Sequence, residues 1–130
     1  MSHFSTIKTQ IKHKPELLEA LMILQYDVKE NQELHITNPD HAEDHPVVRA
    51  EVAITNDIGF RWNAETETYD LYSDNVTWDL DVPVNRFLDK VTQQYARMTV
   101  HNTIEEMGFQ VAEEWEMDDN SIELTVTRWV

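Results

Sequence analysis

From residue 3 onward the chain alternates: Ser5, Ile7, Thr9 and Ile11 share one face, and Thr6, Lys8, Gln10 and Lys12 share the other. Successive side chains of an extended chain point to opposite sides, so this segment is predicted to be a half-buried strand. The period then changes. Leu17, Leu18, Leu21, Met22 and Leu24 recur at helical spacing, behind a proline at 15 whose missing N–H does no harm in a first turn. A short helix over residues 15–25 follows from that pattern. "YDVKENQELHI" reads as two brief extended pieces around a polar turn.

Residues 36–46, "ITNPDHAEDHP", hold two prolines and several turn formers and are predicted to be a loop. Alternation returns at 47–55, with Val48, Ala50, Val52 and Ile54 on one face. "TND" turns the chain into a strand whose inner face is Ile58, Phe60 and Trp62, and "NAETET" turns it into another marked by Tyr69 and Leu71. This is an antiparallel meander. "SDNVTWDLDVP" is an acidic loop expected to expose Trp78. A long helix over 83–107 comes next, opened by Pro83, capped by Asp81 and stopped by Gly108. Its apolar stripe is Val84, Phe87, Leu88, Val91, Tyr95 and Met98. Two closing strands are joined by "MDDN": Phe109, Val111 and Trp115 alternate in the first, Ile122, Leu124 and Val126 in the second.

The predicted order is β-α-β-β-β-β-α-β-β. Hairpin-joined strands with few helices indicate an α+β fold in a single domain spanning 1–130: an antiparallel sheet with two helices packed on one face. Phe60 and Trp62 are expected to meet Phe87, Val91 and Tyr95, because a strand face and a helix stripe each need an apolar partner.

Composition narrows the function. No cysteine is present, which excludes disulfides, thiolate catalysis and zinc–thiolate clusters. The N-terminus has no apolar run of the secretory type, and no stretch approaches the length of a membrane span. A soluble, cytoplasmic protein is expected. The 25 Asp and Glu against 10 Lys and Arg give a net charge of -15, which argues against direct nucleic-acid binding and against docking on an anionic membrane. It favours a cationic partner.

Candidate chemistry is sparse. Asp40, His41, Asp44 and His45 are metal-ligand types, but prolines 39 and 46 forbid the helix that would align them, and the spacing matches no closed metal motif. A solvated loop without metal is the better reading. Glu113, Glu114, Glu116, Asp118, Asp119 and Glu123 crowd the closing hairpin without the pattern of an oxygen-ligand loop. They read as contact surface, so the candidate interaction surface is Trp78, Glu114, Glu116, Asp118 and Asp119. Arg86, Lys90 and Arg97 lie on the polar face of the long helix and are expected to balance the protein's own carboxylates. Two glycines do not build a phosphate cradle, and no nucleophilic triad or dinucleotide fingerprint is present. No cofactor is expected and an enzyme is unsupported.

Four stretches together carry a resemblance: "MSHFSTIKT", "DIGFRWN" at 57–63, "VNRFLDKVTQQYA" at 84–96 and "RW" at 128–129. They resemble the hypothetical chloroplast open reading frame thirty-five family of plastids and cyanobacteria, a domain of unknown function. The resemblance spans nearly the whole chain. It implies a cyanobacterial, plastid or cyanophage source and a cytoplasmic or stromal home, and it carries no catalytic residues over. Members often have a shorter stretch where this chain has "NPDHAEDHP", which implies a variable loop. The reading that results is a small acidic accessory or regulatory protein that binds a protein partner, with a second copy of the chain as a further candidate. The alternatives are a small-ligand binder or enzyme with a pocket near Trp62, Tyr69 and Tyr95, and an acidic mimic of nucleic acid.

Self-repulsion among the carboxylates sets a first prediction. The melting temperature rises between low salt and about 0.2 M, because salt screens surface charges within roughly 10 Å. A thermal melt followed by circular dichroism checks this; a flat or falling trend means that local partners already neutralise the carboxylates.

Overall fold

The computed structural model describes residues 4–35, 47–74, 78–119 and 121–128. The elements are β1 (Phe4–Lys8), α1 (Lys14–Ile23), β2 (Lys29–His35), β3 (Val47–Ala53), β4 (Ile58–Asn63), β5 (Thr68–Asp74), α2 (Val84–Glu106), β6 (Phe109–Glu116) and β7 (Ile122–Arg128). Their order is the one the hydrophobic pattern predicts. The strands do not form one sheet, however. Five form an antiparallel sheet in the order β1-β5-β4-β3-β2, and β6 pairs with β7 alone.

The five-stranded sheet is apolar where the helices cover it. Ile7, Leu71, Phe60 and Val52 lie in register across β1, β5, β4 and β3. Leu17 and Leu21 of α1, with Phe87 and Val91 of α2, pack against that face in one buried cluster. Phe87 is its hub: its ring meets Tyr26 at 5.3 Å, Trp78 at 5.6 Å and Phe60 at 6.4 Å between centroids. Burial of each large side chain contributes about 1.5–3 kcal/mol. Side chains also tie the two helices together. The Tyr95 hydroxyl accepts the N–H groups of Lys12 and His13 at 3.0 and 3.1 Å, where the chain enters α1. Asn102 donates to Glu16 at 3.0 Å.

Several expectations are corrected. Trp62 is 37% exposed and packs edge-on against Tyr69 at 5.0 Å, rather than under α2. Trp78 is half-buried on Phe87, and its indole N–H donates to the Val82 carbonyl at 2.8 Å. An exposed indole was the expectation from an acidic loop; a free face of Phe87 outweighs that local polarity. Asp81 does not cap α2; the capping position is Pro83, with no side-chain hydrogen bond. Met22 is 67% exposed, so the buried face of α1 is Leu17, Ala20 and Leu21. β2 is one strand rather than two pieces, and Asn31 accommodates a positive φ of 53° within it.

β3 breaks its own alternation. Val52 belongs to the core under the helices, while Ala50 and Ala53 join Leu34 in a second cluster with Val48 and Tyr72. Regular pairing of β3 with β4 is confined to Val52–Phe60 and Ala53–Gly59. Beyond it, the Glu51 carboxylate accepts the Trp62 N–H at 2.8 Å. The β2–β3 ribbon then curls against the sheet, so that the His35 N–H reaches the Asn56 carbonyl at 2.8 Å. Gly59 permits this approach: a Cβ there would lie 2.9 Å from the Val52 carbonyl oxygen and 3.2 Å from Leu34 Cδ1.

The hub makes a direct prediction. Phe87→Ala should lower unfolding stability by about 3–5 kcal/mol, whereas Arg86→Ala, on the exposed face one residue away, should cost well under about 1 kcal/mol. Urea melts of the two variants measure this, and equal, mild effects would refute the packing role assigned to Phe87.

Candidate functional site

The C-terminal hairpin is the part of the protein least committed to its core. None of the described residues of β6 or β7 is buried. A two-stranded sheet on its own is marginal in water. This one is mounted on α2, and a single irregularity decides how. The register shifts between Val111 and Glu113. Such a bulge inserts an unpaired residue and reverses which side chains face which way beyond it.

Before the shift, Phe109 and Val111 pair with Arg128 and Val126; after it, Glu114 and Glu116 pair with Leu124 and Ile122. Directly opposed residues share a face. Phe109, Val111, Glu114 and Glu116 therefore lie with Ile122, Leu124 and Val126, the face that carries the contacts to α2. Trp115 turns to the outside with Glu113, Glu123, Thr125 and Thr127. The sequence pattern expected Trp115 to share a face with Phe109 and Val111; the inserted residue overturns that.

Glu114 then becomes the fastening point. Its carboxylate accepts both a short hydrogen bond from Arg97 Nε and a second, at 3.2 Å, from Arg97 Nη2. His101 Nε2 lies 3.0 Å from Oε2 of the same group. Gln94 takes a further Arg97 N–H at 3.3 Å, and Gln93 donates to Glu116 at 3.3 Å. Side-chain exposures of 29% for Arg97 and 19% for Glu114 make this a partly desolvated ion pair rather than an open surface one. The Arg97 hydrogen bonds hold the Glu114 carboxyl below the usual carboxylate range, with partial burial opposing and His101 assisting. A histidine beside a glutamate resembles an acid–base pair, but here the carboxylate is occupied by the guanidinium, and the contact is structural.

The sequence candidates are thus separated. Glu114 and Glu116 face α2. Asp118 and Asp119 remain exposed at the turn, where the Ser121 hydroxyl and N–H hydrogen-bond to Asp119 and lower its pKa. Trp78 belongs to the core, apart from them. Asp40, His41, Asp44 and His45 lie outside the described residues. Among the described residues no group of three or more His, Cys, Asp or Glu is placed to hold a metal ion. At the place proposed for a pocket, Tyr69 is 6% exposed with Trp62 edge-on to it, and the Tyr95 hydroxyl accepts the Lys12 and His13 N–H groups. Two open spaces lie along α2. A polar cleft of about 600 Å³ is lined by Leu24, Arg86, Asp89, Lys90, Gln93, Gln94 and Glu116. An apolar groove of about 300 Å³ is lined by Ala96, Arg97, Val100, Ile122 and Leu124. Of the three helix cations, Arg97 balances an internal carboxylate as expected, while Arg86 and Lys90 line the cleft.

The clamp titrates in a defined direction. Glu114 is more acidic in the folded chain than in the unfolded one, so its contribution is present at neutral pH and disappears as pH falls through its folded pKa. Glu114→Gln should cost roughly 1.5–3 kcal/mol at pH 7, the scale of a hydrogen bond to a charged group. The gap from the unsubstituted protein should begin to narrow as pH falls below the ordinary glutamate pKa of about 4.3 and should close once Glu114 is protonated in the folded chain. Urea melts across pH measure both, and a gap that does not depend on pH would show that charge is not what fastens the hairpin.

No described helix is long and apolar enough to cross a membrane. No solved structure matches the chain. Residues 20–125 match the family described as "Protein of unknown function (DUF1257)". Two relatives named "Uncharacterized protein ycf35" are similar over nearly their full length: 30% identity in Pyropia yezoensis and 31% in Guillardia theta, each match covering 99% of this chain and 98% of the relative. A third of that name, from Cyanophora paradoxa, is 30% identical over the same shares. The fold, the hairpin and its α2 mount all fall mainly within the matched residues, and the chain belongs to the DUF1257 family.

Proposed function

We propose that this is a non-enzymatic accessory protein that binds a cationic protein partner through the outer face of the β6–β7 hairpin, in a plastid or cyanobacterial setting. The observation that carries the reading is Trp115. It is 42% exposed on the outward face, directly opposite Glu123, on a hairpin that adds nothing to the buried core. Tryptophan is the side chain most often found at the energetic centre of protein interfaces. Glu113 and Glu123 on the same face, with Asp118 and Asp119 at the turn, supply a rim of negative charge. Such a rim steers a basic surface and repels acidic ones. The relatives come from plastid-bearing organisms, which supports the setting.

The polar cleft beside Arg86 and Lys90 supports a second reading, a small anionic ligand. Arg86 and Lys90, one helical turn apart in its wall, are the feature that favours it, beside the carboxylates of Asp89 and Glu116 in the same lining.

A pull-down from cyanobacterial lysate discriminates the first reading, using the native chain and a Trp115→Ser variant with the same circular dichroism spectrum. The native chain should retain a basic protein that is released at about 0.3 M salt. The variant should bind at least about thirtyfold more weakly, the minimum for a hot-spot residue. Equal retention by both would remove the hairpin face from the proposal.

A further inference from the structure

The two strands of the hairpin differ in how their outer edges are protected. β6 carries the bulge and three glutamates, Glu113, Glu114 and Glu116. Bulges and charges are the usual means by which a sheet edge is kept from pairing with another chain. β7, "IELTVTR", has no proline and no bulge and carries two charges, Glu123 and Arg128, and four of its seven residues are β-branched. Among the described residues it pairs with β6 alone. A regular edge of this composition is a template for another strand.

The apolar groove lies at that same edge. It is lined by Gln93, Ala96, Arg97 and Val100 of α2, by Ser121 of the turn, and by Ile122 and Leu124 of β7, with no residue of β6 among them. It therefore opens beside β7 on the side where an added strand would lie. Val126, 40% exposed on the same face of β7, extends its apolar side. Two independent features, an unprotected strand edge and an apolar socket under it, coincide.

We propose that β7 is a strand-accepting edge. An extended segment of a cationic partner pairs with β7, places an apolar side chain in the groove between α2 and β7, and sets basic side chains beside Glu123 on the outer face. This rests on the partner-binding reading and specifies its mode. The alternation follows from the sheet: neighbours of Ile122, Leu124 and Val126 face α2, and neighbours of Glu123, Thr125 and Thr127 face outward. Charge selects the occupant. A second copy brings another -15 to the contact, whereas a basic segment meets Glu113, Glu123, Asp118 and Asp119.

The test uses the full chain, labelled with nitrogen-15, and a short blocked peptide of alternating valine and lysine. The control is the same peptide N-methylated throughout, which keeps every charge and side chain but has no backbone donors. Chemical-shift changes should concentrate on residues 122–128 and on Ala96 and Val100. The methylated peptide and the Ala96→Lys variant should each bind at least about tenfold more weakly. Equal binding of the two peptides would overturn the proposal, because charge alone would then explain the affinity. Shifts confined to the turn would overturn it too, as would concentration-dependent self-association through β7 without peptide, which would make a second copy the occupant. If the peptide docks on β7 but Trp115→Ser retains the lysate partner, the edge stands and the outer-face reading falls. If the lysate partner depends on Trp115 but leaves the β7 amides unmoved, the partner reading stands and the strand-accepting edge falls.

Discussion

The position of α2 depends on one buried ring. Phe87 is fully buried, and Tyr26, Phe60 and Trp78 approach it from the α1–β2 connection, from β4 and from the segment before α2. Aromatic contacts of this kind add about 0.5–1.5 kcal/mol each beyond the burial itself. Because three separate segments converge on it, the ring fixes the start of α2 on the five-stranded sheet. Tyr95 and Asn102 then hold the rest of the helix to α1. With one face of α2 committed in this way, the opposite face is a fixed platform, and the hairpin is built on it.

The hairpin obeys different physics from the sheet. None of its described residues is buried, so hydrophobic burial does not hold it as it holds Phe60 or Leu71. Its fastening is polar: Arg97, His101 and Gln93 from α2 against Glu114 and Glu116 from β6. The register shift after Val111 is what allows this. It turns two carboxylates inward to the helix and one tryptophan outward to solvent. The same shift creates both the clamp and the exposed face. An arm fixed by a few polar contacts opens more readily than a core strand, and regions that engage partners are commonly drawn from that low-stability end.

Much of the architecture was legible from periodicity alone. Ile7, Phe60 and Leu71 repeat every two residues, and Phe87 and Val91 every four; the order of elements and the pairing of sheet face with helix stripe follow from those periods. Gly108, with φ of 86°, ends α2 where the sequence places the stop. What failed was alternation across an interruption. Val48 and Ala50 match Val52 in the letters, but β3 pairs with β4 only from Val52 onward, and the residues before it change sides. Trp115 matches Val111 in the letters, but the inserted residue turns it outward. Neither interruption carries a glycine or a proline within its strand, so no local residue announced it. Trp78 failed for another reason: its acidic neighbours suggested solvent, and the partner that buries it, Phe87, is specified only by tertiary packing. The Glu114 clamp was half legible. The sequence marks its residues, the carboxylates as contact surface and Arg97 as an internal balance, but their pairing depends on the register.

The protein is a helix-covered sheet that carries a separately fastened arm, with the fastening on α2 and the proposed recognition surface on the arm. Native-state hydrogen exchange of the unsubstituted chain tests that division most directly. The amides of β6 and β7 should open locally, with a free energy clearly below that of the Val52, Phe60 and Leu71 amides, which should exchange only by global unfolding. If the hairpin amides instead share the global opening energy of the sheet, the arm is part of the core, and the division between platform and arm is wrong.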